Sequence, residues 1–148
     1  HEIEGHNYRM EEIQAGVLNV KMKYIQKWTD MRRKNAKLYS DTFASLGIEE
    51  VITPWHPDYV DPVYHLYIIR VKNREKLIDH LNKNGVQNGL HYPVPLHMQK
   101  AYSHLNYQPE DFPVAAKYAN EILSIPMYPE MTEDMVHYVC STIKKFYS

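Results

Sequence analysis

The chain has 148 residues, 44% of them hydrophobic and 24% charged, with a formal net charge of −1. That length suits one domain with a modest core, and the near-neutral balance argues against nucleic acid or an anionic membrane as partner. No apolar run approaches the roughly 20 residues that span a bilayer, no secretory leader is visible, and the single cysteine, Cys140, excludes an internal disulfide, so a soluble, cytoplasmic protein is expected.

The chain opens on Gly5-His6-Asn7-Tyr8-Arg9-Met10, a polar cluster just ahead of an apolar periodic run. A helix start of this kind presents free backbone N–H groups and the positive end of the helix dipole, which suit an anion such as phosphate. Asn7 adds an amide donor and Arg9 a charged fork. A Gly-x-Asn sequence also serves simply as a helix cap, and at this point both readings stand. From Met10 to Leu46 apolar residues recur at helical spacing: Met10, Ile13, Val17, Met22, Ile25, Trp28, Ala36, Tyr39, Phe43 and Leu46. Gly47 follows as a left-handed stop. The run is longer than most globular helices, so a bend or break is expected within it. Its polar face is basic (Lys21, Lys23, Lys27, Arg32, Arg33, Lys34, Lys37) and reads as solvated. A helix of such length commonly bridges two domains or two subunits.

Residues 48–62 carry Pro54, Pro57 and Pro62 and read as an irregular connection. Tyr64 to Val71, rich in aromatic and β-branched residues, is predicted to be a central strand. Asn73 caps a short helix with Leu77, Ile78 and Leu81 inward, and Asn84-Gly85 ends it. Val86 to Tyr92 reads as a second strand, which delivers His91-Tyr92-Pro93-Val94-Pro95-Leu96-His97. The two prolines make this stretch leave the sheet as a rigid loop. A short helix over Met98–His104 and a turn at Asn106–Asp111 come next. Pro113 then opens a helix that should bury Val114, Tyr118 and Ile122. Leu123 to Met127 is a short strand that Pro126 confines to an edge or to its own end. Thr132 caps the last helix, whose buried stripe is Val136, Val139, Ile143 and Phe146. Cys140 lies in that apolar pattern and reads as an inert buried thiol. The whole is an α+β fold: a small antiparallel or mixed sheet of about three strands with helices packed on one face, preceded by a long N-terminal helix.

Chemistry read from spacing alone is sparse. His91 and His97 lie six apart, with His65 on a neighbouring strand, but that is no recognised ligand spacing, so no metal is expected. No nucleophile elbow, P-loop or dinucleotide fingerprint is present. No catalytic residue emerges.

A resemblance carries the reading further. Gly5-His6-Asn7-Tyr8-Arg9-Met10 with Ile13-Gln14-Ala15 and Leu18, Trp28, Arg32-Arg33, and Tyr64-His65-Leu66-Tyr67 come in order. They are followed by Gly85-Val86-Gln87-Asn88-Gly89-Leu90-His91-Tyr92-Pro93-Val94-Pro95-Leu96-His97, Phe112-Pro113, Ala119, Glu121-Ile122-Leu123-Ser124-Ile125-Pro126-Met127 and Pro129. Over nearly the whole chain this resembles the C-terminal small domain of the DegT/DnrJ/EryC1/StrS family, the fold type I sugar aminotransferases that use pyridoxal 5'-phosphate. The resemblance implies that residues 1–148 are that small domain and that a large cofactor-binding domain lies upstream. It implies a homodimer in which Asn7, supported by Arg9, contacts the cofactor phosphate across the subunit boundary. His91 and Tyr92 become candidates for contacting a nucleotide-sugar substrate; for His91 a purely structural role stands beside that one. The implied activity is transfer of an amino group from an amino acid, such as glutamate, to a keto-sugar nucleotide in cell-surface polysaccharide or deoxyaminosugar biosynthesis. A dehydratase of the same family, or a non-enzymatic dimerising regulatory module, is the alternative. The family's cofactor-bearing lysine matches none of the lysines here, so the chain by itself is expected to be inactive.

Overall fold

The computed structural model describes residues 9–148. In chain order the elements are α1 (Glu12–Met22), α2 (Ile25–Leu46), β1 (Val51–Ile52), β2 (Tyr67–Val71), α3 (Arg74–Lys83), α4 (Pro113–Ala119), β3 (Ile122–Ile125) and α5 (Glu133–Tyr147), with short 3-10 turns between α3 and α4. The long N-terminal helical run breaks in two, as its length requires. Lys23 closes α1 and Tyr24 opens α2, and the Tyr24 ring stacks on Trp28 one turn on, 5.7 Å between centroids. Gly47 ends α2 at φ +58, a left-handed conformation that glycine adopts without steric cost.

The sheet is three-stranded and antiparallel in the order β1-β2-β3. The central strand β2 pairs Tyr67 with Ile125 and Ile69 with Leu123. Its alternate residues Tyr67, Ile69 and Val71 are buried, because successive side chains leave a strand on opposite faces. They meet Tyr39 and Phe43 of α2, Leu77 and Leu81 of α3, and Val136, Val139, Cys140 and Ile143 of α5 in one core. Tyr39 stacks on Tyr67 at 4.9 Å between ring centroids. The Tyr39 hydroxyl donates to the Pro126 carbonyl at 3.0 Å, and the Tyr67 hydroxyl pairs with Ser40 Oγ at 2.7 Å. Burial drives both phenols well above their ordinary range, so they stay neutral donors. Thr132 caps α5 by accepting from the Met135 amide at 3.3 Å. Among the described residues no helix is long and apolar enough to cross a membrane.

Several local expectations change. Residues 48–62 are not wholly irregular: Val51 and Ile52 pair with Val71 and Arg70 as β1, too short for a periodic signal. The predicted strand over Val86–Tyr92 is reduced to one bridge, Gly89 to Ser124 on the outer side of β3. Val86 is consumed by the end of α3, where its amide donates to the Leu81 carbonyl at 2.9 Å, and Pro93 and Pro95 prevent further pairing. Tyr64 does not begin a strand either: it sits at φ +48, just before a bend at His65 and Leu66. The helix predicted over Met98–His104 is two 3-10 turns. The stripe expected on α4 fails, because Val114 and Tyr118 are exposed and only Ala119 is buried. Tyr118 instead lies over the Arg70 guanidinium, 3.7 Å from the ring centroid, while Arg70 pairs with Glu121 at 2.7 Å on the sheet face away from the core.

The basic face of the long helix is only partly solvated. Its lysines are exposed, but Arg32 and Arg33 are half-buried. Arg32 donates to the carbonyls of Met127 (2.9 Å), Tyr64 (3.4 Å) and His65 (3.5 Å). Arg33 donates to Pro62 O at 3.1 Å and pairs with Asp61 at 2.7 Å. Buried Asn35 adds a donor to Tyr128 O at 3.0 Å. One face of α2 therefore clamps both the loop before β2 and the loop after β3 by their backbone carbonyls, groups that would otherwise lose water without a replacement.

Candidate functional site

The candidate residues fall in two places. Asn7 lies outside the described residues. Arg9 is described and exposed, two residues before Glu11, the N-cap of α1. The Glu11 amide donates to Gln14 Oε1 at 3.2 Å, so the start of α1 is served by its own Glu11–Gln14 pair.

The second place is built outward from β3. At the end of α3 Gly85 takes φ +69 and turns the chain back toward the sheet. The Asn88 side chain donates to Asn82 Oδ1 at 2.9 Å and stiffens the approach. Gly89 then exchanges two backbone hydrogen bonds with Ser124, at 3.0 and 2.8 Å. The His91 ring folds back over Gly89 so closely that a Cβ there would stand 2.9 Å from His91 Cε1. His91 Nδ1 lies 2.9 Å from Ser124 Oγ, and Ser124 is only 5% exposed. The next ring, Tyr92, sits edge-on to His91 at 5.7 Å between centroids and is 75% exposed. An imidazole held from below thus stands beside a phenol projecting into solvent.

Tyr92 also borders an open apolar cleft of about 410 Å³ whose other walls include Pro95, Leu96, His97, Phe112 and Tyr118. The His97 ring packs on Phe112 at 4.7 Å, and its Nε2 is buried without a hydrogen-bond partner. His65 is exposed on the loop clamped by Arg32. Among the described residues no three His, Cys, Asp or Glu side chains gather as a metal site. Every lysine lies within the described residues, and each is exposed except half-buried Lys144. A lysine that carries a cofactor covalently needs desolvation and positioning, and none here has both. Cys140 is fully buried in the core, and burial pushes its thiol up to about 12, so it is not a nucleophile.

The family resemblance drew attention to His91 and Tyr92 but did not say what supports them. Ser124 is a polar residue inside an apolar strand, and Gly89 a glycine inside a strand-like run. The second pattern is a known mark of close approach. Arg32 and Arg33 gave no signal, because a half-buried arginine and a solvated one occupy the same helical positions.

These features define an α+β domain that offers directed polar groups beside an apolar cleft, and among its described residues neither a buried amine nor a metal cluster. The model of the DegT/DnrJ/EryC1/StrS aminotransferase family matches residues 1–144, and the chain belongs to that family, which depends on pyridoxal phosphate. It is 37% identical over 147 residues to a pleiotropic regulatory protein of Geobacillus stearothermophilus, covering 99% of this chain and 40% of that protein. It is 33% identical over 142 residues to the dTDP-3-amino-3,6-dideoxy-alpha-D-galactopyranose transaminase of Aneurinibacillus thermoaerophilus, covering 96% and 38%. Among solved structures, DesV of S. venezuelae in complex with a ketimine intermediate superposes with a TM-score of 0.90 at 30% identity, covering all of this chain and 39% of that one. The chain thus spans about 40% of the length of the proteins it matches.

Proposed function

We propose that this chain is the C-terminal small domain of a longer, homodimeric aminotransferase that uses pyridoxal phosphate to move an amino group from an amino acid, such as glutamate, to a keto-sugar nucleotide. Cell-surface polysaccharide or deoxyaminosugar biosynthesis is where such a product is used. The observation that carries this reading is the family match over residues 1–144 together with an α1 that buries none of its side chains. Ile13 is 83% exposed, and Val17, Leu18, Val20 and Met22 are exposed beside it. Uncovered apolar surface of this kind marks a face that another part of an assembly covers. Here that cover is the upstream region and the second subunit.

The residue roles follow from donor chemistry. Asn7 and Arg9 supply an amide and a guanidinium, a set that fits a phosphate group. When bound, the cofactor supplies the electron sink for amino transfer. The lysines of this chain do not fit covalent attachment, being solvated, so its part is to bind and orient. His91 and Tyr92 contact the sugar nucleotide, with the cleft beside Tyr92 taking an apolar or planar portion of it.

The test joins the chain to its upstream region. The longer protein should hold pyridoxal phosphate, seen by its visible absorbance, and turn over an amino donor and a keto-sugar nucleotide. The 148-residue chain given the same reagents should not. Failure of the longer protein to bind the cofactor overturns the reading, and turnover by the short chain overturns the assignment of its role. In the longer protein Asn7→Ala should loosen cofactor retention by the ~1.5–3 kcal/mol of a charge-assisted hydrogen bond, more than it changes the unfolding of the cofactor-free protein.

A further inference from the structure

The Ser124–His91 contact has a definite hydrogen direction. Ser124 spends its backbone N–H and carbonyl on Gly89, and its side chain is nearly fully buried. Among the described residues the one partner of its hydroxyl is His91 Nδ1, at 2.9 Å. Two arrangements are open to a neutral imidazole. If Nδ1–H donates to the serine, the buried hydroxyl hydrogen has no acceptor. If the hydroxyl donates to Nδ1, only serine lone pairs go unfilled. An orphaned buried donor is the rarer and costlier defect. The ring is also fixed in place, since Cε1 rests on Gly89. Among the described residues His91 Nε2 has no hydrogen-bond partner. His91 is half-buried, and its Nε2 is not one of the buried unpaired atoms found among the described residues, so that atom keeps some contact with solvent.

We propose that Ser124 is a positioning residue that holds neutral His91 as the Nε2–H tautomer, making its outward atom a fixed hydrogen-bond donor. In that state Nε2 cannot accept a proton, so His91 serves to bind an oxygen acceptor and does not act as a general base. The ligand half rests on the function proposed above: the acceptor is a diphosphate, hydroxyl or carbonyl oxygen of the sugar nucleotide. Gly89 belongs to the same device, because its missing side chain leaves room for the ring.

The tautomer is read without substrate or cofactor. The full chain, labelled with nitrogen-15 at histidine and held above the ordinary imidazole titration range, gives long-range proton–nitrogen correlations for His91. The expected pattern is a protonated Nε2 and an imine-like Nδ1. Ser124→Ala should move both nitrogens toward a mixture of tautomers, and Ser124→Thr, which keeps the hydroxyl, should restore the single form. A protonated Nδ1 in the unmodified chain overturns the proposal, as does a Ser124→Ala spectrum identical to it. Should Ser124→Ala fail to fold, the unmodified chain and Ser124→Thr still decide the matter. In the longer enzyme Ser124→Ala should raise KM for the sugar nucleotide several-fold with kcat little changed, and the reverse split overturns the binding role. Failure of the tautomer test leaves the aminotransferase reading standing, whereas failure to bind pyridoxal phosphate removes that reading and the ligand half that rests on it, and leaves the Ser124–His91 tautomer standing.

Discussion

Helices α1 and α5 are both rich in apolar residues and meet opposite fates. In α5 the stripe Val136, Val139, Cys140 and Ile143 is buried against α2 and the sheet, while its other side is polar. In α1 Ile13, Val17, Leu18, Val20 and Met22 are spread around the helix and all lie open. A single stripe asks for one neighbour, and the domain supplies it. A helix apolar on several sides asks to be enclosed, and the domain does not enclose it. The difference separates what makes this unit fold from what makes it join something larger.

That contrast can be broken by mutation. The largest effect is expected in the core: Ile143→Ala, at a fully buried site, should cost ~2–5 kcal/mol in denaturant unfolding. Arg32→Ala should come next, at ~1.5–3 kcal/mol, because it strips three loop carbonyls of one guanidinium. Arg32→Lys should restore part of that, since all three contacts come from one terminal nitrogen, Nη1, and an ammonium also carries several donors on one atom.

The buried thiol sets a pH dependence. Its folded pKa is raised to about 12 by burial, against roughly 8.5 in an unfolded chain. Below the unfolded value the contribution to stability is complete. Above it the unfolded state loses the proton first, so stability falls as pH rises toward the folded value. The unfolding midpoint should hold steady from neutrality and decline through the alkaline range, and thiol reagents should reach Cys140 only after denaturation. Gly89→Ala should cost ~1–3 kcal/mol and shift the His91 ring signals, since the new methyl group meets the edge of that ring and displaces it from the buried Ser124 hydroxyl. The smallest effect belongs to α1: Ile13→Ala in this chain should stay within ~0.5 kcal/mol. A loss there equal to that of Ile143→Ala would abolish the distinction between the two helices.

Much of the body was legible in residue pattern because local rules and the final packing agree. Thr132 caps α5, Gly47 ends α2, β2 is central, and β3 stops at Pro126; Asn73 does stand at the start of α3, but at φ +52 and without the expected side-chain cap bond. The misreadings share a cause. β1 is two residues long and exists only because β2 offers it an edge. The stretch before Pro93 looks like a strand, yet one bridge at Gly89 is all that the turn behind it and the prolines ahead permit. Val114 and Tyr118 keep helical spacing on α4, but no core reaches them.

By itself the sequence determined the periodic elements, their caps, the inert thiol, the His-Tyr-Pro loop and the family resemblance, because each is written in neighbours a few residues apart. Tertiary structure alone decided that Arg32 clamps loops more than thirty residues from it in sequence on one side and about ninety on the other. It alone brought Ser124 beneath His91, thirty-three positions apart. Contacts at such distances depend on how the chain folds back on itself, and no local pattern encodes the partner.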